Sequence, residues 1–260
     1  MADKWNSGVR SVPLSRGRAD VAIDQGLRSY MLRVYNLMAI GLALTGIAAY
    51  GLFSAATTSD PSLAVGAVNG VMLTQLGATV FTTPLRWVLM FAPLALVMFL
   101  SFRIHRMSTG AAQATFWSYA ALVGLSLSTI FLVYTQESIV QVFFVTAAAF
   151  GALSLFGYTT KRDLSGMGSF LVMGLFGLII AMLVNVFLAS SALGFAISAV
   201  GVLVFAGLTA WDTQRIKDMY FEGDDTLVAG RKAIMGALSL YLNFINMFMF
   251  LLQFLGSSRN

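Results

Sequence analysis

Asp212 is the residue in this sequence with the most chemistry to explain. It stands near the end of the long apolar run Val202–Lys217, VLVFAGLTAWDTQRIK, followed by Arg215 and Lys217. An acid at the centre of a membrane-spanning helix costs roughly 2.5–3.5 kcal/mol, and less nearer the surface, so it needs a partner or a purpose. A second polar set lies in the last apolar run. Ser239, Asn243, Asn246 and Gln253 are separated by 4, 3 and 7 residues, which puts all four on one helical face. In lipid such a stripe must face other helices or water, because an unsatisfied polar group there costs several kcal/mol. Thr209, three residues before Asp212, joins this set, and Asn185 adds a polar group further from it.

Two readings of Asp212 stand side by side. In one it glues helices together, paired with Arg215, Lys217 or a neighbouring amide. In the other it plugs a polar path lined by Asn243, Asn246 and the rest of the stripe. Glu137 opens another apolar run, where a helix-start acid is favoured by the helix dipole; it is also a candidate outer mouth for cations. No catalytic or metal-binding residue is expected. There are no cysteines and one histidine, His105, so a zinc site or a cysteine nucleophile has no basis. Intramembrane serine proteolysis would need a histidine base beside a residue such as Ser154, and His105 sits at a helix end, where a surface position is expected. An aspartyl protease would need two intramembrane carboxylates, and only Asp212 qualifies. Basic and aromatic residues do not interleave as nucleic-acid binding requires.

The elements that position these residues are membrane helices. The chain has 260 residues, of which 58% are hydrophobic and only 10% charged, where soluble domains carry about 25%. Seven apolar runs approach the ~20 residues needed to cross a bilayer: Val34–Ser54, Leu85–Phe102, Ala111–Tyr134, Ser138–Tyr158, Met167–Leu188, Leu193–Trp211 and Ile234–Leu255. The last two are expected to extend beyond these limits. The uncharged stretch Pro61–Phe81 is too rich in Gly, Asn, Thr and Gln to span, and reads as an outer-face loop containing a surface helix. Residues 1–29 read as a flexible cytoplasmic tail and residues 30–260 as the seven-helix domain. With the N-terminus inside, 14 of the 16 lysines and arginines fall on the cytoplasmic side, all but Arg86 and Arg259. Gly41 with Thr45, Gly174 with Gly177 and Ala181, and Gly194 with Ser198 and Gly201 mark close helix approaches.

Three segments, TTKRDLSGMGSF (Thr159–Phe170), VFAGLTAWDTQRIK (Val204–Lys217) and GALSLYLNFIN (Gly236–Asn246), resemble the Bax inhibitor-1 family, and its bacterial inner-membrane branch in particular. The resemblance runs from about Met31 to Gly256. It implies an all-α integral membrane fold in which six helices surround a central seventh, and a pH-modulated leak of cations, chiefly calcium as the permeant ion, with no cofactor. It also implies that an acid on the sixth helix pairs with an acid on the seventh. Asp212 matches the first, while Asn243 stands where pH-sensing members carry Asp. Two close carboxylates repel and share a proton. An Asp–Asn pair lacks that repulsion, so a weakened or acid-shifted pH response is expected. Some bacterial relatives are thought to modulate a membrane protease, which gives the alternative of a non-conducting partner protein.

Overall fold

A computed structural model describes residues 16–259, with side chains from Gln25 onward and His105 excepted. Among the described residues, seven helices are long and apolar enough to cross a membrane. They are α1 (Arg16–Ala56, apolar from Gln25), α3 (Leu85–Arg103), α4 with α5 (Thr109–Leu127 and Ile130–Val133), α6 (Gln136–Thr159), α7 (Ser165–Leu188), α8 (Ser191–Asp218) and α9 (Thr226–Leu255). These are the seven runs read from the sequence, and α8 and α9 extend past the apolar limits as expected. Residues 1–15 of the expected tail lie outside the described residues; residues 16–29 form the first turns of α1. The third span is not continuous. Its α-helix ends at Leu127 and resumes at Ile130, with the Ser128 hydroxyl donating to the Leu125 carbonyl at the break.

Helix starts follow local side-chain chemistry. Ser108, Thr135, Ser190 and Asp225 each accept a hydrogen bond from the backbone N–H three residues on, satisfying a donor that the first turn leaves free. Between α1 and α3, the stretch read as a loop with a surface helix holds that helix as α2 (Gln75–Thr82). It also holds a hairpin of β1 (Gly66–Val68) and β2 (Val71–Leu73), paired antiparallel. The hairpin turn is Asn69–Gly70, both at positive φ, the pair that a tight two-residue turn favours.

The bundle is built around α9, about two-thirds of whose span is buried, against 6% for α3 and 11% for α7. Helices α1, α4, α6 and α8 pack directly on α9, while α3 packs on α4 and α7 on α8, completing the ring from outside. At the centre, Tyr241 is fully buried, with the rings of Phe116 and Tyr119 edge-on to it at 5.7 and 5.8 Å. Its hydroxyl meets the Thr45 hydroxyl at 2.6 Å, and Thr45 in turn donates toward the carbonyls of Ala120 (2.8 Å) and Gly41 (3.0 Å). One threonine thereby joins α1, α4 and α9.

The two ends of the bundle differ. One is basic: Arg231 donates to the Met107 carbonyl, Lys217 to the Tyr158 carbonyl, and Lys232 pairs with Asp224. At the other, the C-terminal strand-like segment is strapped to the turn before α6. Thr135 N–H donates to the Ser257 carbonyl, Arg259 N–H to the Val133 carbonyl, and Ser257 N–H to the Ser138 hydroxyl.

Candidate functional site

The three sequence segments singled out above converge at the basic end of α8. Consecutive residues on a helix point about 100° apart, so the run Trp211–Arg215 reaches a different neighbour with each side chain. Trp211 lies against Gly168 of α7, where a Cβ would overlap the indole. Asp212 turns to α9. The Thr213 hydroxyl meets Ser154 of α6 at 2.9 Å, and Ser154 meets Tyr35 of α1 at 2.6 Å. Gln214 closes the α6–α7 connection, accepting from Leu164 N–H and donating to the Arg162 carbonyl, both at 2.8 Å. Arg215 bends back over the Trp211 ring, 4.7 Å from its centroid, toward Asp212.

Asp212 is 5% exposed, and its carboxylate has three neighbours. Asn243 Nδ2 donates to Oδ2 at 2.7 Å and Ser239 Oγ donates to the same oxygen at 2.8 Å. Arg215 Nη2 stands 2.6 Å from Oδ1, an ion pair by distance though not aligned as a hydrogen bond. These contacts are those of the first reading of Asp212: it is paired with Arg215, and a neighbouring amide and hydroxyl join it to the polar stripe of α9. Lys217 is not a partner, since its ammonium is spent on Tyr158. A buried carboxylate held by two charge-assisted donors and one cation is a strong contact, and it is costly to break on one side only.

Asp212 and Arg215 line one end of a cavity of about 860 Å³ between α7, α8 and α9. All four stripe residues, Ser239, Asn243, Asn246 and Gln253, line it, and Tyr134 marks its far end. The wall opposite is apolar: Val172, Leu175, Leu178, Ile179 and Met182 of α7. The α9 residues 239 to 253 cover 14 steps, so the polar stripe runs about 21 Å along the helix. Asn246 sends its Nδ2 to the Leu242 carbonyl and lines the cavity.

Not every residue singled out in the sequence is here. Thr209 is fully buried, its hydroxyl donates to the Phe205 carbonyl at 2.7 Å, and it is not part of the lining. Back-bonding to the preceding turn is what satisfies a threonine inside an apolar helix. Glu137 is exposed in the first turn of α6, and the cavity lining does not include it. Asn185 accepts from Ser190 N–H and finishes the α7–α8 turn. His105 falls in the 3-10 turn Ile104–Arg106 after α3, its side chain outside those described. The contacts of Thr213 with Ser154 and of Gln214 with the α6–α7 connection are not among the sequence expectations. The five-residue fan of Trp211–Arg215 was their signal, because any polar side chain there must find a partner on a neighbouring helix.

Comparison with known proteins finds relatives over nearly the whole chain. The family model described as inhibitor of apoptosis-promoting Bax1 matches residues 27–260. An uncharacterized protein of Caulobacter vibrioides is 48% identical over 257 residues, 98% of each chain. An uncharacterized protein of Rickettsia prowazekii is 46% identical over 91% of this chain and 93% of its own. The inner membrane protein YbhL of Escherichia coli is 45% identical over 90% of this chain and 94% of its own.

Proposed function

This chain belongs to the Bax inhibitor family of membrane proteins, and we propose on that premise that it is a cation leak pathway, with calcium as a permeant ion, closed by the contact between Asp212 and Asn243. The observation that supports the reading is the cavity between α7, α8 and α9. A polar stripe about 21 Å long is kept in an otherwise apolar bundle and ends on a carboxylate held shut by Asn243, Ser239 and Arg215. Amide and hydroxyl oxygens along the stripe are hard ligands of the kind that suit calcium. Asp212 supplies a negative charge at one end of the path. Opening requires Asn243 and Ser239 to release Oδ2, while Arg215, on the same helix as Asp212, can stay paired with it.

In this reading the basic end faces the cytoplasm, by the distribution of lysine and arginine, and the membrane is the inner membrane, as the name of the Escherichia coli relative suggests. The pH response is weak, because Asn243 cannot ionise. Thr209 acts only as packing beside the gate, and Glu137 as a charge at the outer surface.

The absence of cysteine makes the test clean. A single cysteine replacing Asn246 is to be treated with a charged, water-soluble thiol reagent in proteoliposomes. Calcium entry should fall after modification, while the same treatment of a cysteine replacing Ile180, which is 61% exposed on the outer face of α7, should leave it unchanged. Entry unaffected by a quantitatively modified Asn246→Cys would reject the stripe as the path and favour a non-conducting partner of another membrane protein, a protease among them.

A further inference from the structure

A second long feature lies on the opposite side of α9. Helices α1 and α6 both pack on α9 but make little packing with one another. The gap between them holds two cavities of about 640 and 520 Å³ that share Ala39, Leu42, Phe143 and Phe244, and so form one groove. Its walls are aliphatic and aromatic, and Phe244 of α9 is its floor. Away from the basic end its polar side chains are already bonded within the bundle: Tyr35 to Ser154, and Thr45 to Tyr241. The groove changes character at the basic end. There Arg28 lines it from α1 and Tyr158 from α6. The Lys217 ammonium is 3.0 Å from the Tyr158 carbonyl oxygen and 5.9 Å from the centre of its ring, and Lys161 and Arg162 follow at the end of α6. No carboxylate is among the described lining residues.

The dimensions bear on what fits. The larger cavity follows α1 from Arg28 to Leu42 and α6 from Phe143 to Tyr158, about 21–22 Å at 1.5 Å per residue. A bilayer hydrocarbon core is about 30 Å thick, so the groove runs from the interface at the basic end past the midplane. A ligand that fills it must be apolar along that length and must enter from the bilayer. At one end it must carry an anionic group where Arg28 lies. Basic pockets between membrane helices recognise anionic headgroups on these terms.

We propose that the α1–α6 groove is a binding site for an anionic glycerophospholipid from the leaflet at the basic end, with an acyl chain along Leu42, Phe143 and Ala147 and its phosphate at Arg28. The site is separate from the α7–α8–α9 cavity and does not depend on the leak reading.

Native mass spectrometry of the full chain, delipidated in detergent and then mixed with phosphatidylglycerol or phosphatidylethanolamine, tests it. The parent should retain phosphatidylglycerol at least about tenfold more than phosphatidylethanolamine, tenfold being the weight of one headgroup contact of about 1.4 kcal/mol. Arg28→Gln should abolish that preference. Gly151 lines the groove, and a Cβ there meets no atom within 4 Å, so Gly151→Leu adds apolar bulk to the groove from a position open to a side chain. It should remove retained lipid of both kinds, with the circular dichroism of the parent. Equal retention of the two lipids by the parent would overturn the headgroup assignment. Undiminished retention by Gly151→Leu would show surface lipid only and overturn the site.

Discussion

Removing the Asn243 side chain isolates the contact that holds the proposed gate. In Asn243→Ala, Asp212 Oδ2 loses the 2.7 Å donor from α9 and keeps Ser239 at 2.8 Å, while Arg215 stays beside Oδ1. Hydrogen bonds to charged groups contribute about 1.5–3 kcal/mol. Hydrogen bonds between membrane helices measure lower, about 0.6 kcal/mol on average and up to about 1.7. The two ranges overlap near 1.5 kcal/mol, and the surviving Ser239 donor argues for the lower part of the first. If the contact exists only in the closed state, its loss raises the open fraction about tenfold, since about 1.4 kcal/mol is a factor of ten. Calcium entry into proteoliposomes of matched protein content should rise by that factor. In an Asp212→Ala background, where the partner is gone, adding Asn243→Ala should change entry less than about twofold, as a coupled pair requires. Equal entry for Asn243→Ala and the parent would refute the closing role. A tenfold rise that persists without Asp212 would refute the pairing as its cause.

Two other changes test neighbouring parts of the structure. Asn243→Asp places two carboxylates at hydrogen-bond distance, where like charges about 4 Å apart repel by about 4 kcal/mol at an effective dielectric constant of about 20. The leak of that variant should change more steeply with pH than the parent's, and superimposable pH curves would sink the proposed reason for the parent's weak response. Ala189 ends α7 with φ at +47°, a left-handed conformation that costs a residue with a Cβ roughly 1–2 kcal/mol. Ala189→Gly should therefore raise the melting temperature in detergent by a few degrees, and an unchanged or lower midpoint would show that the turn carries no such strain.

What the sequence disclosed, it disclosed through the bilayer. A span must be long, apolar and helical because the hydrocarbon offers no other hydrogen-bond partners, so seven segments could be delimited and the extensions of α8 and α9 anticipated. The same constraint made Asp212 and the Ser239–Gln253 stripe visible as exceptions, while the pairing of Asp212 with Asn243 was implied by the family resemblance. Contacts between distant segments carried no such signal. The strap of Ser257–Arg259 on Val133–Ser138 depends on backbone groups, which any sequence supplies. The peripheral places of α3 and α7 were hidden because a span apolar all round does not say which side faces protein. Of the glycines, Gly41 does meet Phe116 and Gly201 does meet Phe250, but Gly177 faces open space. The closer approaches, Gly124 on the Thr45 carbonyl and Gly157 on the Ala210 carbonyl, looked no different in sequence. The hairpin carries a strong turn signal, Asn69–Gly70 between short apolar runs, in a stretch whose polarity alone says only that it does not span.

The central claim is that the cavity ending at Asp212 conducts. Calcium entry into proteoliposomes of the purified protein alone, followed from about pH 5 to pH 8 for the parent and for Asp212→Asn, tests it most directly. The prediction is entry through the parent without any partner, with a shallow pH dependence that Asp212→Asn alters. Absence of entry at every pH from folded, inserted protein, or identical curves for the two proteins, would contradict it.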